Sequence, residues 1–147
     1  MTMSTYELVR KTKIDGDFEG FDDEVLFRFV DGTYWIQAQY MYWYHYAYRP
    51  DVNLLRANGR FYLQIDGKDK VVPVRQITDV IQSRIDDEFK GWEGETVYTL
   101  TNGQVWKQCT YHYEYKYSYR PEALIYNSGT GYKMQVEGTT ADVRRVK

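Results

Sequence analysis

The sequence predicts an all-β protein built of two small barrels that arise from an internal duplication, and three observations carry that prediction. The first is alternation. In Tyr40-Met41-Tyr42-Trp43-Tyr44-His45-Tyr46-Ala47-Tyr48-Arg49-Pro50 every second residue is tyrosine, and Tyr111-His112-Tyr113-Glu114-Tyr115-Lys116-Tyr117-Ser118-Tyr119-Arg120-Pro121 repeats the pattern. A period of two places five tyrosines on one face of a strand, ~6.6 Å apart at about 3.3 Å per residue. The second observation is a fixed offset. Shifting the chain by 71 positions aligns Ile14-Asp15 with Ile85-Asp86, Phe18 with Phe89, Gly20 with Gly91, Glu24 with Glu95, Gly32 with Gly103, Trp35 with Trp106 and Gln37 with Gln108. The two Arg-Pro ends, and Gln64 and Gly67 against Gln135 and Gly138, keep the same register. The third is turn chemistry, with Asp31-Gly32, Asn58-Gly59 and Asn102-Gly103 between apolar runs.

Taken in order, Val9 to Ile14 reads as a strand and Asp15 to Glu24 as a loop rich in acids and glycine. Val25 to Val30 is a second strand, closed by Asp31-Gly32 as a type I′ hairpin turn; Asn102-Gly103 does the same in the second copy. The tyrosine stretch extends a long strand from Tyr34 to Tyr48, ending where Pro50 lacks an N–H and restricts Arg49. Val52 to Ala57, Phe61 to Asp66 and Val72 to Ile77 complete a meander, with Pro73 confining the last strand to an edge or a bulge. The second copy starts at Val80 to Ile85. It runs two residues shorter after Gly138, so that Val74-Arg75-Gln76-Ile77 matches Val143-Arg144-Arg145-Val146. The domains are therefore 1–77 and 78–147. The rival architecture is one continuous antiparallel sheet, or a larger barrel, in which the two long tyrosine strands pair with each other.

Five or six short strands per copy, tight hairpins and one longer loop after the first strand resemble the SH3-like small barrels, and the whole chain resembles bacterial tandem-repeat proteins of two such barrels. The resemblance implies the fold alone, because the acidic and aromatic groove of proline-binding SH3 domains does not map onto these residues.

Composition narrows the function. Aromatic residues make up 18% of the chain, including 16 tyrosines, and charges of both signs are interspersed, so the chain is expected to fold. A formal net charge of −2 gives no global field for phosphate backbones. The single cysteine, Cys109, excludes an intramolecular disulfide and any multi-cysteine metal site, which fits a reducing compartment. The start, Met1 to Lys13, carries no apolar segment of the signal-peptide kind, and no stretch has the roughly 20 apolar residues of a membrane-spanning helix. The expected location is cytoplasmic, with no membrane partner.

The chemistry-bearing constellations are few. If buried, five tyrosines in a row would need five hydroxyl partners, since an unpaired buried hydroxyl costs about 1–3 kcal/mol. Tyr40 and Tyr111 are therefore expected in the core and Tyr48 and Tyr119 in water. A row of rigid rings with wet tips is either packing or a stacking platform for sugars, bases or peptide. On the opposite face both copies carry Trp-x-Gln, an indole and an amide that either complete the core or hold a flat polar ligand. The candidate ligand-binding set is Trp35, Gln37, Trp43, Tyr44, Tyr46, Tyr48 and Arg49 in the first copy. In the second it is Trp106, Gln108, Tyr115, Tyr117, Tyr119 and Arg120.

His45 and His112 occupy equivalent positions without metal-ligand spacing. Cys109 stands where the first copy has Ala38, which points to a small buried side chain. Asp22-Asp23-Glu24 and Asp86-Asp87-Glu88 lack calcium-loop spacing, and no phosphate loop, nucleophile elbow or paired acid and base occurs.

The expectation is a non-enzymatic binding or protein-interaction module without cofactor or metal. Its partner would be a protein or a small polar ligand, or a second copy of the chain in a homodimer. The alternative is single-stranded nucleic acid stacked on the tyrosines, its phosphates held by Arg49, Arg56, Arg60, Arg120, Arg144 and Arg145, against which the acidic charge counts. One asymmetry is expected to matter. Met41, Trp43 and His45 stand where the second copy has His112, Glu114 and Lys116, so the face around Trp43 is expected to be covered by the other copy, a second chain or a ligand. The rival is that Trp43 closes its own barrel.

Overall fold

The computed structural model describes residues 5–147, which divide into two compact units, one ending at Thr78 and the other spanning Asp79–Lys147. The first holds β1 (Glu7–Lys13), β2 (Asp17–Phe21), β3 (Leu26–Arg28), β4 (Tyr34–Gln37), β5 (Trp43–Tyr48), β6 (Asp51–Ala57), β7 (Arg60–Ile65) and β8 (Val71–Ile77). The second holds β9 (Ile81–Arg84), β10 (Glu88–Glu93), β11 (Val97–Thr99), β12 (Val105–Gln108), β13 (Tyr113–Tyr119), β14 (Glu122–Asn127), β15 (Tyr132–Val136) and β16 (Thr139–Arg145). Among the described residues every regular element is a strand.

In the first unit a six-stranded sheet runs β1-β6-β7-β8-β4-β3 and a two-stranded ribbon pairs β2 with β5. In the second unit the six-stranded sheet runs β9-β14-β15-β16-β12-β11, and the ribbon pairs β10 with β13. The long tyrosine strands thus pair within their own units, which removes the continuous-sheet alternative. In each unit a bridge just beyond the first strand, Ile14 to Phe29 or Ile85 to Leu100, ties that strand to the end of the third. The bridge brings the two edges of the six-stranded sheet together, and the inward side of that curl is the core.

Period two supplies this core directly. Val52 and Leu54 on β6, Leu63 and Ile65 on β7, and Val72 and Val74 on β8 alternate inward beside Phe27, Phe29 and Trp35. In the second unit Ala123 and Ile125, Met134 and Val136, and Ala141 and Val143 do the same around Leu100 and Trp106.

Four local expectations are corrected. The acidic segment from Asp15 to Glu24 is not a simple loop: it contains β2, because Phe18 and Phe21 both reach the core from one side of the ribbon. Asp31-Gly32 does not form a two-residue type I′ turn. Only Gly32 is left-handed there (φ 89°), its amide donates to the Phe29 carbonyl, and Asp31 turns its carboxylate back to accept from the Thr33 amide and hydroxyl. Asn102-Gly103 behaves the same way, with Gly103 alone left-handed. Type I′ geometry appears instead at Asn58-Gly59, between paired Ala57 and Arg60, and at Glu137-Gly138, between paired Val136 and Thr139; both turn residues have positive φ at each site.

The expected long strand from Tyr34 to Tyr48 breaks at Gln37, so that β4 joins the six-stranded sheet and β5 the ribbon. Finally, β8 is an interior strand despite Pro73, flanked by β7 and β4. Its ladder with β4 ends at Gln37 paired to Val74, and the Pro73 carbonyl accepts from Ala38 as β4 departs. The missing proline N–H faces that departure, so proline removes only the reciprocal bond to Ala38 at the very end of the ladder.

Where the first unit buries Phe27, the second buries Tyr98, whose hydroxyl donates to the Gly91 carbonyl (2.7 Å). Burial pushes its phenol up to about 12. Above pH ~10 the unfolded chain loses this proton while the folded one keeps it, so stability falls as pH rises and the loss is complete near pH 12. The loss is on the order of 2–3 kcal/mol. In denaturant titrations across that window, Tyr98→Phe should lose stability less steeply than the parent chain. Parallel curves would show that Tyr98 does not carry the effect.

Candidate functional site

The ribbons present the tyrosines. In the first unit Phe18 lies opposite Ala47 and Phe21 opposite Trp43, and these positions face the core. The intervening positions Tyr44, Tyr46 and Tyr48 face away from it. The ladder continues through Tyr40 and Tyr42 in the connection from β4, and in the second unit through Tyr111, Tyr113, Tyr115, Tyr117 and Tyr119. All ten rings are exposed, from 52% at Tyr117 to 85% at Tyr111. This corrects the expected gradient: Tyr40 and Tyr111 are not buried, because the chain leaves the six-stranded sheet before the first tyrosine, and the small core is filled by residues from the other ribbon face.

One backbone device seats each ribbon. Register shifts between Phe18 and Gly20, and between Phe89 and Gly91. Gly20 (φ 105°) and Gly91 (φ 94°) sit where a side chain would overlap the carbonyl oxygens of Trp43 and Glu114. The partner backbone passes over these glycines, and the bulge lets the ribbon bend onto the core while the tyrosines stay outside.

A carboxylate stands at the same place on each tyrosine face. Tyr46 donates to Asp17 (2.8 Å) and Tyr117 to Glu88 (3.1 Å); these hydrogen bonds are the main cause raising both phenols above their ordinary value. Arg49 and Arg120 follow the ladders in the left-handed region, each with φ 49°. Their amides donate to the Gly16 and Asp87 carbonyls, tying the end of each ribbon strand to the start of its partner. Of the basic residues proposed to grip phosphates, Arg120 pairs with Asp86 and Arg56 with Glu7.

Trp35, Gln37, Trp106 and Gln108 lie on the other side, fully buried. The indole of Trp35 donates to Thr33 and that of Trp106 to Gln104. The amide of Gln37 accepts from the Asp22 amide and donates to the Asp22, Gln39 and Met41 carbonyls. Gln108 accepts from Gly94 and donates to Thr110 and His112. The shared Trp-x-Gln is thus a staple for the corner between sheet and ribbon, its polar atoms already engaged, and the structure separates these four residues from the tyrosine face.

Trp43 also belongs to the inner side. It is half-buried, 5.3 Å from Phe21 and 6.4 Å from Phe18 between ring centres, and His45 stacks on it (5.1 Å, 6°). The expected outer apolar strip is therefore absent: Trp43 closes its own unit. The second unit reaches the same end differently. Trp92 occupies the place of Phe21 and is fully buried, its indole donating to Thr139 (3.0 Å), whose hydroxyl donates to Glu114 (2.9 Å) in the place of Trp43. One indole per unit fills this space, from β5 in one and from β10 in the other. Sequence comparison of single positions missed the exchange because it needs Phe21, Trp43, Trp92 and Glu114 read together.

Cys109 is exposed, contrary to expectation, since both it and Ala38 fall in the corner after the fourth strand of their units. It borders an open depression of about 360 Å³ with Lys107, Thr110, Tyr111 and Arg144. His112 contacts Glu114 (3.3 Å). Among the described residues no group of three or more His, Cys, Asp or Glu is placed to hold a metal ion, and no helix is long and apolar enough to cross a membrane. Comparison with known proteins finds no matching family model, no significantly similar curated protein and no significantly similar solved structure.

Proposed function

We propose that the protein is a non-enzymatic interaction module made of two duplicated SH3-like small barrels, which binds a protein or small polar ligand across the outer tyrosine faces of its ribbons. The observation that carries this reading is the exposure of all ten ladder tyrosines, seven of them on ribbon strands whose opposite faces complete a core. Contiguous exposed aromatic surface is unusual on a protein with no partner, and tyrosine provides rigid contact area at low entropic cost. The duplication is supported by the identical strand order of the units and by matching bulges, left-handed arginines and buried glutamines. The barrel reading is supported by the bridge that draws the sheet edges together. A peptide or sugar suits the face better than nucleic acid, since Asp17 and Glu88 lie on it and would repel phosphates.

Serine at Tyr44, Tyr46 and Tyr48 together, or at Tyr115, Tyr117 and Tyr119, should leave thermal unfolding within a few degrees of the parent, because exposed rings add little to the core. Binding to peptide and oligosaccharide arrays should fall at least about tenfold for ligands of the affected face. Hits that survive both triple variants contradict the reading. Binding to single-stranded oligonucleotides that weakens steeply with salt would support the nucleic-acid alternative instead.

A further inference from the structure

β13 carries a free edge with a self-complementary pattern. Its backbone pairs with β10 alone, and the Glu114 carbonyl and Lys116 amide both face Gly91 on that strand. Backbone groups alternate sides along a strand, so the N–H and C=O of Tyr113 and Tyr115 point to the open edge. We propose that a second copy of this chain pairs antiparallel with this edge, on a two-fold axis through Tyr115. The centre is set by charge. With Tyr115 opposite its own symmetry mate, Glu114 of each chain faces Lys116 of the other across a non-hydrogen-bonded pair, where side chains approach most closely.

The same register exchanges the outward Tyr115 backbone groups between chains and sets Tyr113 opposite Tyr117. An isologous contact of this kind closes after two chains. Lys116 is exposed, and Glu114 keeps a second carboxylate oxygen for the contact beyond the one that accepts from Thr139. The equivalent strand β5 has Trp43 and His45 at these positions, without opposite charges to set the register. The pairing joins two ribbons into one four-stranded sheet and merges their tyrosine rows into a single wider face. Its side-chain contacts rest on the proposal that the tyrosine face is a contact surface.

Sedimentation of the full chain over a range of concentrations tests this. A monomer–dimer equilibrium is expected, and Lys116→Glu, which sets two pairs of glutamates in opposition, should weaken it at least tenfold with unchanged thermal unfolding. Glu114→Lys should be monomeric for the mirror reason, and mixing the two variants should restore a dimer, now a heterodimer, because unlike charges again meet. Tyr115→Pro, which removes the outward N–H, should abolish dimers in either case. A parent chain that stays monomeric overturns the proposal, as does a Lys116→Glu chain that dimerises like the parent or a mixture that gains nothing. A monomeric parent whose array ligands are still lost in the tyrosine triples would leave the proposed function standing while removing this edge contact.

Discussion

Replacing Gly91 by alanine is expected to unfold the second unit. The added methyl would overlap the Glu114 carbonyl oxygen, and the residue holds φ 94°, where an L side chain is strained whatever the space. The backbone strain alone is about 1–3 kcal/mol, and relieving the overlap means lifting β13 from Trp92 and Phe89, so the total is on the order of 4 kcal/mol or more. A unit of this size has roughly 3–10 kcal/mol in all. Gly20→Ala should do the same to the first unit against the Trp43 carbonyl. Gly103→Ala is the control: its φ is 90°, but nothing stands within 4 Å of the added atom, so only the conformational cost of about 1 kcal/mol remains. Urea unfolding of the three variants checks the ranking. If Gly91→Ala and Gly103→Ala prove equal, the ribbon does not pass over Gly91 as described.

The second large effect concerns the exchanged tryptophans. Trp43→Glu copies the residue of the second unit into a place that lacks its supporting set, and should cost the first unit about 2–3 kcal/mol, less than a fully buried ring because Trp43 is only half covered. Adding Phe21→Trp refills the space beside Phe18 and Phe27 but leaves an indole N–H without the Thr139 hydroxyl. By the two-residue offset after Gly67, Lys70 stands where the second unit has Thr139, so the triple variant with Lys70→Thr transfers the whole indole–hydroxyl–carboxylate chain. It should recover most of the loss, whereas Trp43→Glu with Lys70→Thr should not. Equal stability of Trp43→Glu and the parent would mean that the indole is not part of the core.

The sheet strands were legible in the sequence wherever side chains alternate over a buried face, as in β6 to β8, because the pattern and the environment have the same period. The break at Gln37 was not legible. Tyrosine alternation begins at Tyr40, inside the connection, and runs unbroken into β5, and the signal for the corner is a buried amide that holds three carbonyls, which has no periodicity. β2 was hidden for a related reason. Asp17, Glu19 and Gly20 look like a loop, yet the acids lie on the wet face and the glycine is required by the crossing strand.

The tyrosines were the largest misreading. Their alternation gives strand and facing, but which face meets the core depends on Phe18, Phe21, Phe89 and Trp92 on a neighbouring strand. Of the candidate site, the tyrosine members are exposed together on the ribbons, while Trp35, Gln37, Trp43, Trp106 and Gln108 work as structure.

Nitration of the native chain by tetranitromethane, mapped residue by residue and compared with the urea-unfolded chain, tests the outward tyrosine face most directly. Tyr44, Tyr48, Tyr115 and Tyr119 should react in the folded protein nearly as fast as in the unfolded one, Tyr46 and Tyr117 more slowly because Asp17 and Glu88 hold their phenolic protons, while buried Tyr98 and Tyr126 react only after unfolding. Protection of the ladder tyrosines to the same degree as Tyr98 in the monomeric native chain would place them in a core and contradict the account.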